Sequence, residues 1–227
     1  METMLKVSHL KKVFSSEDMK VMAVDDISLQ INRGEFASIV GRSGSGKTTL
    51  LSMLGGLERP TSGQITVDGQ DITKLSDHAL IAYRARKIGF VFQSYNLIPN
   101  LTALENVMLA MEAAKLPRKE RKTSAQSLLT QVGLATDQMK RKPNRLSGGQ
   151  QQRVAIARAL ASNPSVIFAD EPTGNLDEQT GELIFELLGK LARVNGTTVV
   201  VVTHDRSIAE RTDRMLRLKD GKLEETK

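Results

Sequence analysis
The residues best suited to chemistry are Gly41, Arg42, Ser43, Gly44, Ser45, Gly46, Lys47, Thr48 and Thr49, consecutive in the spacing G-x-x-x-x-G-K-[ST]. Glycines let a backbone adopt positive φ and approach a ligand closely. A loop of this kind turns its N–H groups inward as a nest for an anion. The helix that follows begins at the anion, so its dipole favours negative charge there. Lys47 has the reach for the β- and γ-phosphates of a nucleotide, and the Thr48 hydroxyl can ligate Mg²⁺. Four other places carry reactive groups at the ends of apolar runs or at a helix start. Ser165 to Ala169 ends in Asp170 and Glu171. A carboxylate there can hold Mg²⁺, and its neighbour, pointing elsewhere, can take a proton from water. Two acids after a strand serve equally well as helix-capping carboxylates. Gly196 to Thr203 ends in His204 and Asp205, and Ile88 to Phe92 ends in Gln93. Finally, Leu146-Ser147-Gly148-Gly149-Gln150 is a second glycine-rich helix start with a capping-box pattern. It suits an anion, or simply a well-capped helix, and its spacing does not say which phosphate it would face.

Those groups need strands to bring them together. Phe36 to Val40 feeds the glycine loop, and Leu50, Leu51, Met53 and Leu54 follow it in a helix. The continuous apolar runs read as strands buried on both faces of a parallel sheet. Ligands bind beyond the carboxyl ends of such strands, so the loop, Asp170-Glu171 and His204 are expected to converge on one phosphate. Met4 to Leu10 and Val24 to Ile31 read as an N-terminal hairpin joined by the polar turn from Ser15 to Lys20. Gln64 to Val67 is a short strand before the turn Asp68-Gly69. Helices are expected over Ser76 to Lys87, Leu101 to Ala114, Lys119 to Val132 (closed by Gly133), from the Leu146 to Gln150 opening to about Ser162, Glu178 to Val194 and Arg206 to Arg211. Asp220-Gly221 predicts a closing hairpin.

Composition narrows the function. The chain has 227 residues, 40% hydrophobic and 26% charged, which is ordinary for a globular domain. It has no cysteine, so thiolate and disulfide chemistry are excluded, and its three histidines are scattered. No apolar leader is visible at the N-terminus, and the longest apolar block is too short to cross a bilayer. The net charge is +6, with basic clusters at Arg84 to Lys87, Arg118 to Lys122 and Lys140 to Lys142. No aromatics interleave them. A solvated surface explains them, and weak attraction to anionic lipid fits as well.

Taken together, the chain resembles the ATP-binding subunit of ABC transporters over essentially its full length. The phosphate loop, the Gln93 loop, the Leu146 to Gln150 signature, the Val166 to Asp170 strand, Glu171, Asn175-Leu176-Asp177 and His204 occur in that family's order. The resemblance implies an α/β fold: a phosphate-loop ATPase with a parallel core sheet, an N-terminal antiparallel β subdomain and an inserted helical subdomain. The whole chain, 1–227, would be one nucleotide-binding domain, with 1–93 and 163–227 as catalytic core and 94–162 as the helical signature subdomain. It implies ATP and Mg²⁺, the metal held by Thr48, Gln93 and Asp170. Glu171 would be the catalytic base, with His204, Gln93 and Lys47 acting on the γ-phosphate and the water. Nucleotide would also touch Phe14 (in the adenine-stacking place) and Gly41, Ser43, Gly44, Ser45, Gly46 and Thr49. Two copies would pair head to tail, each closing Ser147, Gly148, Gly149 and Gln150 on the other's nucleotide, with Asp177 working across the interface. Residues 94–101, with Tyr95, Leu97 and Ile98 exposed, would meet an integral membrane permease at the cytoplasmic face of the membrane. Gly55-Gly56-Leu57, Pro60 to Gly63 and Glu171 to Asp177 are similar to the lipoprotein-releasing, macrolide-efflux and peptide-resistance group. Cell-division signalling ATPases and polar amino-acid importers remain alternatives, as does a soluble ATPase acting on nucleic acid. No specific nucleic-acid partner is expected.

Overall fold
The computed structural model of the chain describes residues 2–15 and 19–225. In order, its elements are β1 (Thr3–Ser15), β2 (Lys20–Asn32), β3 (Phe36–Val40), α1 (Lys47–Leu54), β4 (Ser62–Val67), β5 (Gln70–Asp71), α2 (Asp77–Lys87), β6 (Ile88–Phe92), α3 (Ala103–Ala113), α4 (Arg118–Gln131), α5 (Gly148–Leu160), β7 (Val166–Asp170), α6 (Glu178–Asn195), β8 (Thr198–Thr203), α7 (Arg206–Ala209), β9 (Arg214–Lys219) and β10 (Lys222–Glu225). Two short 3-10 turns, Gln138–Lys140 and Pro143–Arg145, precede α5.

β1 and β2 form the expected hairpin, though residues 16–18 of its turn lie outside the described residues. Together with β4 and β5 they make an antiparallel sheet in the order β2-β1-β4-β5. The second sheet runs β10-β9-β3-β8-β7-β6. All its neighbours are parallel except the closing pair β9–β10. β3 and β8 are buried at every residue, which explains why their sequences lack alternation. The strand that feeds the glycine loop thus lies beside β8, β8 beside β7, and β7 beside β6. That adjacency sets the loop, His204, Asp170-Glu171 and Gln93 along one sheet edge.

The core divides in two. One cluster joins both sheets through Leu5, Ile31, Leu50, Leu54, Ile65 and Phe168. The other joins α3, α4, α5 and α6 to the far side of the large sheet through Val107, Met111, Leu129, Ile156, Ile184 and Leu188. Helix limits follow their caps. Ser76 caps α2, Thr102 and Glu105 form a capping box on α3, and Asp177 caps α6. α6 ends at Gly196 in the left-handed conformation, φ 68°.

Candidate functional site
The glycine loop leaves β3 and turns into α1 through Gly46, whose φ is +97°. A Cβ there would sit 2.1 Å from the Ala23 carbonyl oxygen, so only glycine fits. No side chain caps α1 and its first turn has no acid, which leaves the leading N–H groups for an anion. Lys47 is buried, and its ammonium donates to the Gly41 and Arg42 carbonyls at 2.8 and 3.0 Å. Among the described residues it makes no ion pair with a carboxylate, its hydrogen bonds going to those two carbonyls, so a phosphate would supply negative charge.

Over this loop opens a cleft of about 860 Å³. Ser43, Gly44, Gly46, Lys47, Thr48 and Thr49 form one wall, and Gln93, Glu171 and His204 another. Asp170 stands behind, accepting from the Thr48 hydroxyl at 3.3 Å. Burial pushes its carboxyl above the usual range, partly offset by the Thr48 bond and by Lys47. Glu171 occupies the left-handed region, φ 46°, an uncommon conformation for a non-glycine residue. Its amide donates to the Val202 carbonyl at 2.9 Å, and its carboxylate meets His204 Nδ1 at 2.9 Å. The Glu171 side chain is 15% exposed and that of His204 68%, so the pair points from the sheet edge toward the opening. Gln93 and Asn175 bond to each other: the Asn175 amide donates to the Gln93 carbonyl at 2.9 Å, and the Gln93 amide to Asn175 Oδ1 at 3.4 Å.

Other expected residues lie elsewhere. Gly41 and Ser45 face a smaller recess of about 370 Å³ behind the loop, beside Arg217 and Lys219. Phe14 does not line the cleft; Val21, Met22 and Ala23 form that apolar wall. Phe14 pairs with Val21 across the hairpin, and the Lys12 ammonium lies over its ring at 4.9 Å. Ser147, Gly148, Gly149 and Gln150 are absent from the cleft of their own chain. Ser147 and Gln150 are engaged in their capping box. A Cβ on Gly148 would come within 2.8 Å of the Tyr95 hydroxyl, and one on Gly149 within 2.4 Å of Thr180 Cγ2. Asp177 is exposed and caps α6 through the Thr180 amide, and the Thr180 side chain, followed by that amide, lowers its pKa. The expected exposure of residues 95–98 needs correction. Ile98 is 40% exposed, but Tyr95 is half-buried, as is Leu97, which packs on the helical core. Tyr95 and Asn96 both adopt positive φ, and the Arg158 guanidinium holds both carbonyls. Nothing in the local sequence marked Arg158 as their partner. Asp220 and Gly221, read only as a turn, also line the cleft.

Among the described residues no group of three or more His, Cys, Asp or Glu can hold a metal unaided, and no helix is long and apolar enough to cross a membrane.

Comparison with known proteins adds to this geometry. A family model described as ABC transporter matches residues 24–174. An uncharacterised ABC transporter ATP-binding protein of Thermotoga maritima is 50% identical, covering 99% of this chain and 95% of its own. The lipoprotein-releasing system ATP-binding protein LolD of Syntrophotalea carbinolica is 48% identical, covering 97% and 96%. The macrolide export ATP-binding/permease protein MacB of Syntrophobacter fumaroxidans is 44% identical over 97% of this chain, which corresponds to 31% of that longer protein. Among solved structures, a dimeric ATP-binding cassette in a post-hydrolysis state with ADP and Pi superposes with a TM-score of 0.90 at 47% identity, covering 97% of each chain.

Proposed function
Because the chain belongs to the ABC transporter family, as an ATP-binding, ATP-hydrolysing subunit, we propose that it works as a pair of head-to-tail copies at the cytoplasmic face of a membrane. There it drives a permease that exports or extracts a lipoprotein, drug or peptide. The observation that carries the catalytic part is the meeting of three strand ends in one cleft, with Glu171 and His204 in contact beside the phosphate loop. The pairing rests on what the cleft lacks: the Ser147 to Gln150 helix start lines no part of it within one chain. On this reading a second copy supplies that segment; the solved relative is likewise a dimer, bound to ADP and Pi.

The loop and Lys47 hold the triphosphate, and Val21 and Met22 give the base an apolar wall, with Phe14 at its margin. Glu171 takes a proton from water as the water oxygen bonds to the γ-phosphorus. The bond to the β–γ bridging oxygen breaks, and ADP and phosphate leave. His204, bonded to Glu171, keeps the carboxylate aimed at that water. Thr48, Gln93 and Asp170 fit Mg²⁺, being oxygen donors beside the loop, and the ion would neutralise charge on the phosphate oxygens. Residues 94–162 act as the signature arm, and the permease seats in the groove of about 320 Å³ between α2, β6, α3 and α5.

Glu171→Gln keeps the shape and loses the basicity. Hydrolysis should fall about 10²–10⁴-fold, with an ATP-bound dimer accumulating on size exclusion. A variant hydrolysing at the wild-type rate would remove Glu171 from the role of base.

A further inference from the structure
One basic cluster of the sequence borders a groove, and a second follows directly on the helix that lines the groove's other side. α2 ends in Arg84, Arg86 and Lys87, and Arg84 with Ala85 lines the groove from one side. α3 lines it from the other with Ala110 and Ala113. The chain then turns through Lys115, φ 62°, into α4, which begins Arg118-Lys119-Glu120-Arg121-Lys122. Some of these cations are spoken for. Lys87 pairs with Asp68, Arg84 donates to the Gly56 carbonyl, and Arg121 pairs with Glu112. Arg86, Lys115, Arg118, Lys119 and Lys122 are exposed, and none has a carboxylate partner among the described residues. Glu120 is the one acid left at this corner. Some surface cations elsewhere find acids nearby, as Arg59 does with Asp77, Arg141 with Asp137 and Arg206 with Glu210, while Lys6, Arg42, Lys140, Lys142, Arg145 and Lys190 are exposed without a carboxylate partner among the described residues. What sets this corner apart is density: four such cations, Lys115, Arg118, Lys119 and Lys122, fall within eight residues.

We propose that these rims rest on anionic lipid headgroups around the foot of the membrane partner. The proposal builds on the reading that the permease seats in the groove, which turns the rims toward the bilayer. Clusters of about four to eight basic residues at a membrane surface attract anionic lipid, each adding roughly a fivefold gain in partitioning. No aromatic residue interleaves the cations in the sequence; the aromatics at this corner, Phe90 and Phe92, line the groove between the rims.

The test is sedimentation of the purified protein with phosphatidylcholine vesicles, with or without phosphatidylglycerol. The wild type should sediment only with the anionic vesicles and be released by high salt. K115Q/R118Q/K119Q/K122Q, on exposed sites away from the nucleotide cleft, should bind at least about tenfold more weakly with basal hydrolysis unchanged. K140Q/R141Q/K142Q neutralises the cluster at the opposite end of α3, where the Ala103 amide donates to the Arg141 carbonyl, and should bind like wild type. The lipid contact is overturned by any of three results: no wild-type binding to anionic vesicles, equal loss in both variants, or displacement by duplex DNA at lower charge concentration than lipid. Ala110→Glu, inside the groove, separates the two readings. It should abolish permease recovery while sparing vesicle binding, and unchanged permease recovery would remove the docking reading instead.

Discussion
Asp170 and Glu171 are neighbours in sequence held in different environments. Asp170 ends a buried strand and its ionised form is disfavoured by burial. Its folded pKa lies above the unfolded one, so ionisation costs stability as pH rises through that raised value, and the cost persists at neutral pH. Asp170→Asn should therefore raise the urea midpoint of the nucleotide-free protein at neutral pH while hydrolysis falls. The gain should vanish at low pH, where Asp170 is protonated. A neutral-pH midpoint at or below wild type would mean that Thr48 and Lys47 already relieve the burial. The placement of both acids was legible because an apolar run must end somewhere, and the end of a parallel strand is where ligands sit. The wall at Val21 to Ala23 was not, since small and apolar residues on a strand look the same whether they face a core or a cleft.

At the scale of elements, patterns that carry their own stop signals gave their limits to within a residue or two. α3 is an example: the Thr102 hydroxyl accepts from the Glu105 amide, and Glu105 accepts in return from Thr102. Thr102→Ala should cost about 1 kcal/mol, read as a lowered urea midpoint with hydrolysis retained. A midpoint within error of wild type would show that helix packing alone fixes that end of α3. Residues 94–101 carried no such signal. Two successive left-handed residues, Tyr95 and Asn96, are held by an arginine that lies about sixty positions away. A partnership of that range has no local signature, which is why an exposed loop was expected where the chain is half tucked in.

For the whole molecule, the joint between the two sheets matters most. Asp68, in the turn after β4, pairs with Arg33 and Lys87 and accepts from the Ser165 hydroxyl. The Arg33 guanidinium, followed by Lys87 and Ser165, lowers its pKa from 3.8 to about 2. A depressed carboxyl contributes stability that is full above the unfolded value and is lost as pH falls toward the folded one. Asp68→Asn should thus destabilise the protein at pH 5 and above, with the difference from wild type closing between about pH 4 and about pH 2. A gap that stays constant across that window in chemical denaturation would rule out the ionised joint.

The strand order has one more consequence, in time rather than space. β3, which delivers the phosphate loop, pairs only with β8 and β9, at Val199 to Thr203 and Arg214 to Arg217. Gly221, later still, donates its amide to the Ser45 carbonyl of that loop. During synthesis the loop strand therefore emerges early and waits, without neighbours, until most of the chain has left the ribosome. The cleft is complete only once Glu171, His204, Asp220 and Gly221 are in place, and an unpaired apolar strand is exposed meanwhile to other unfinished chains.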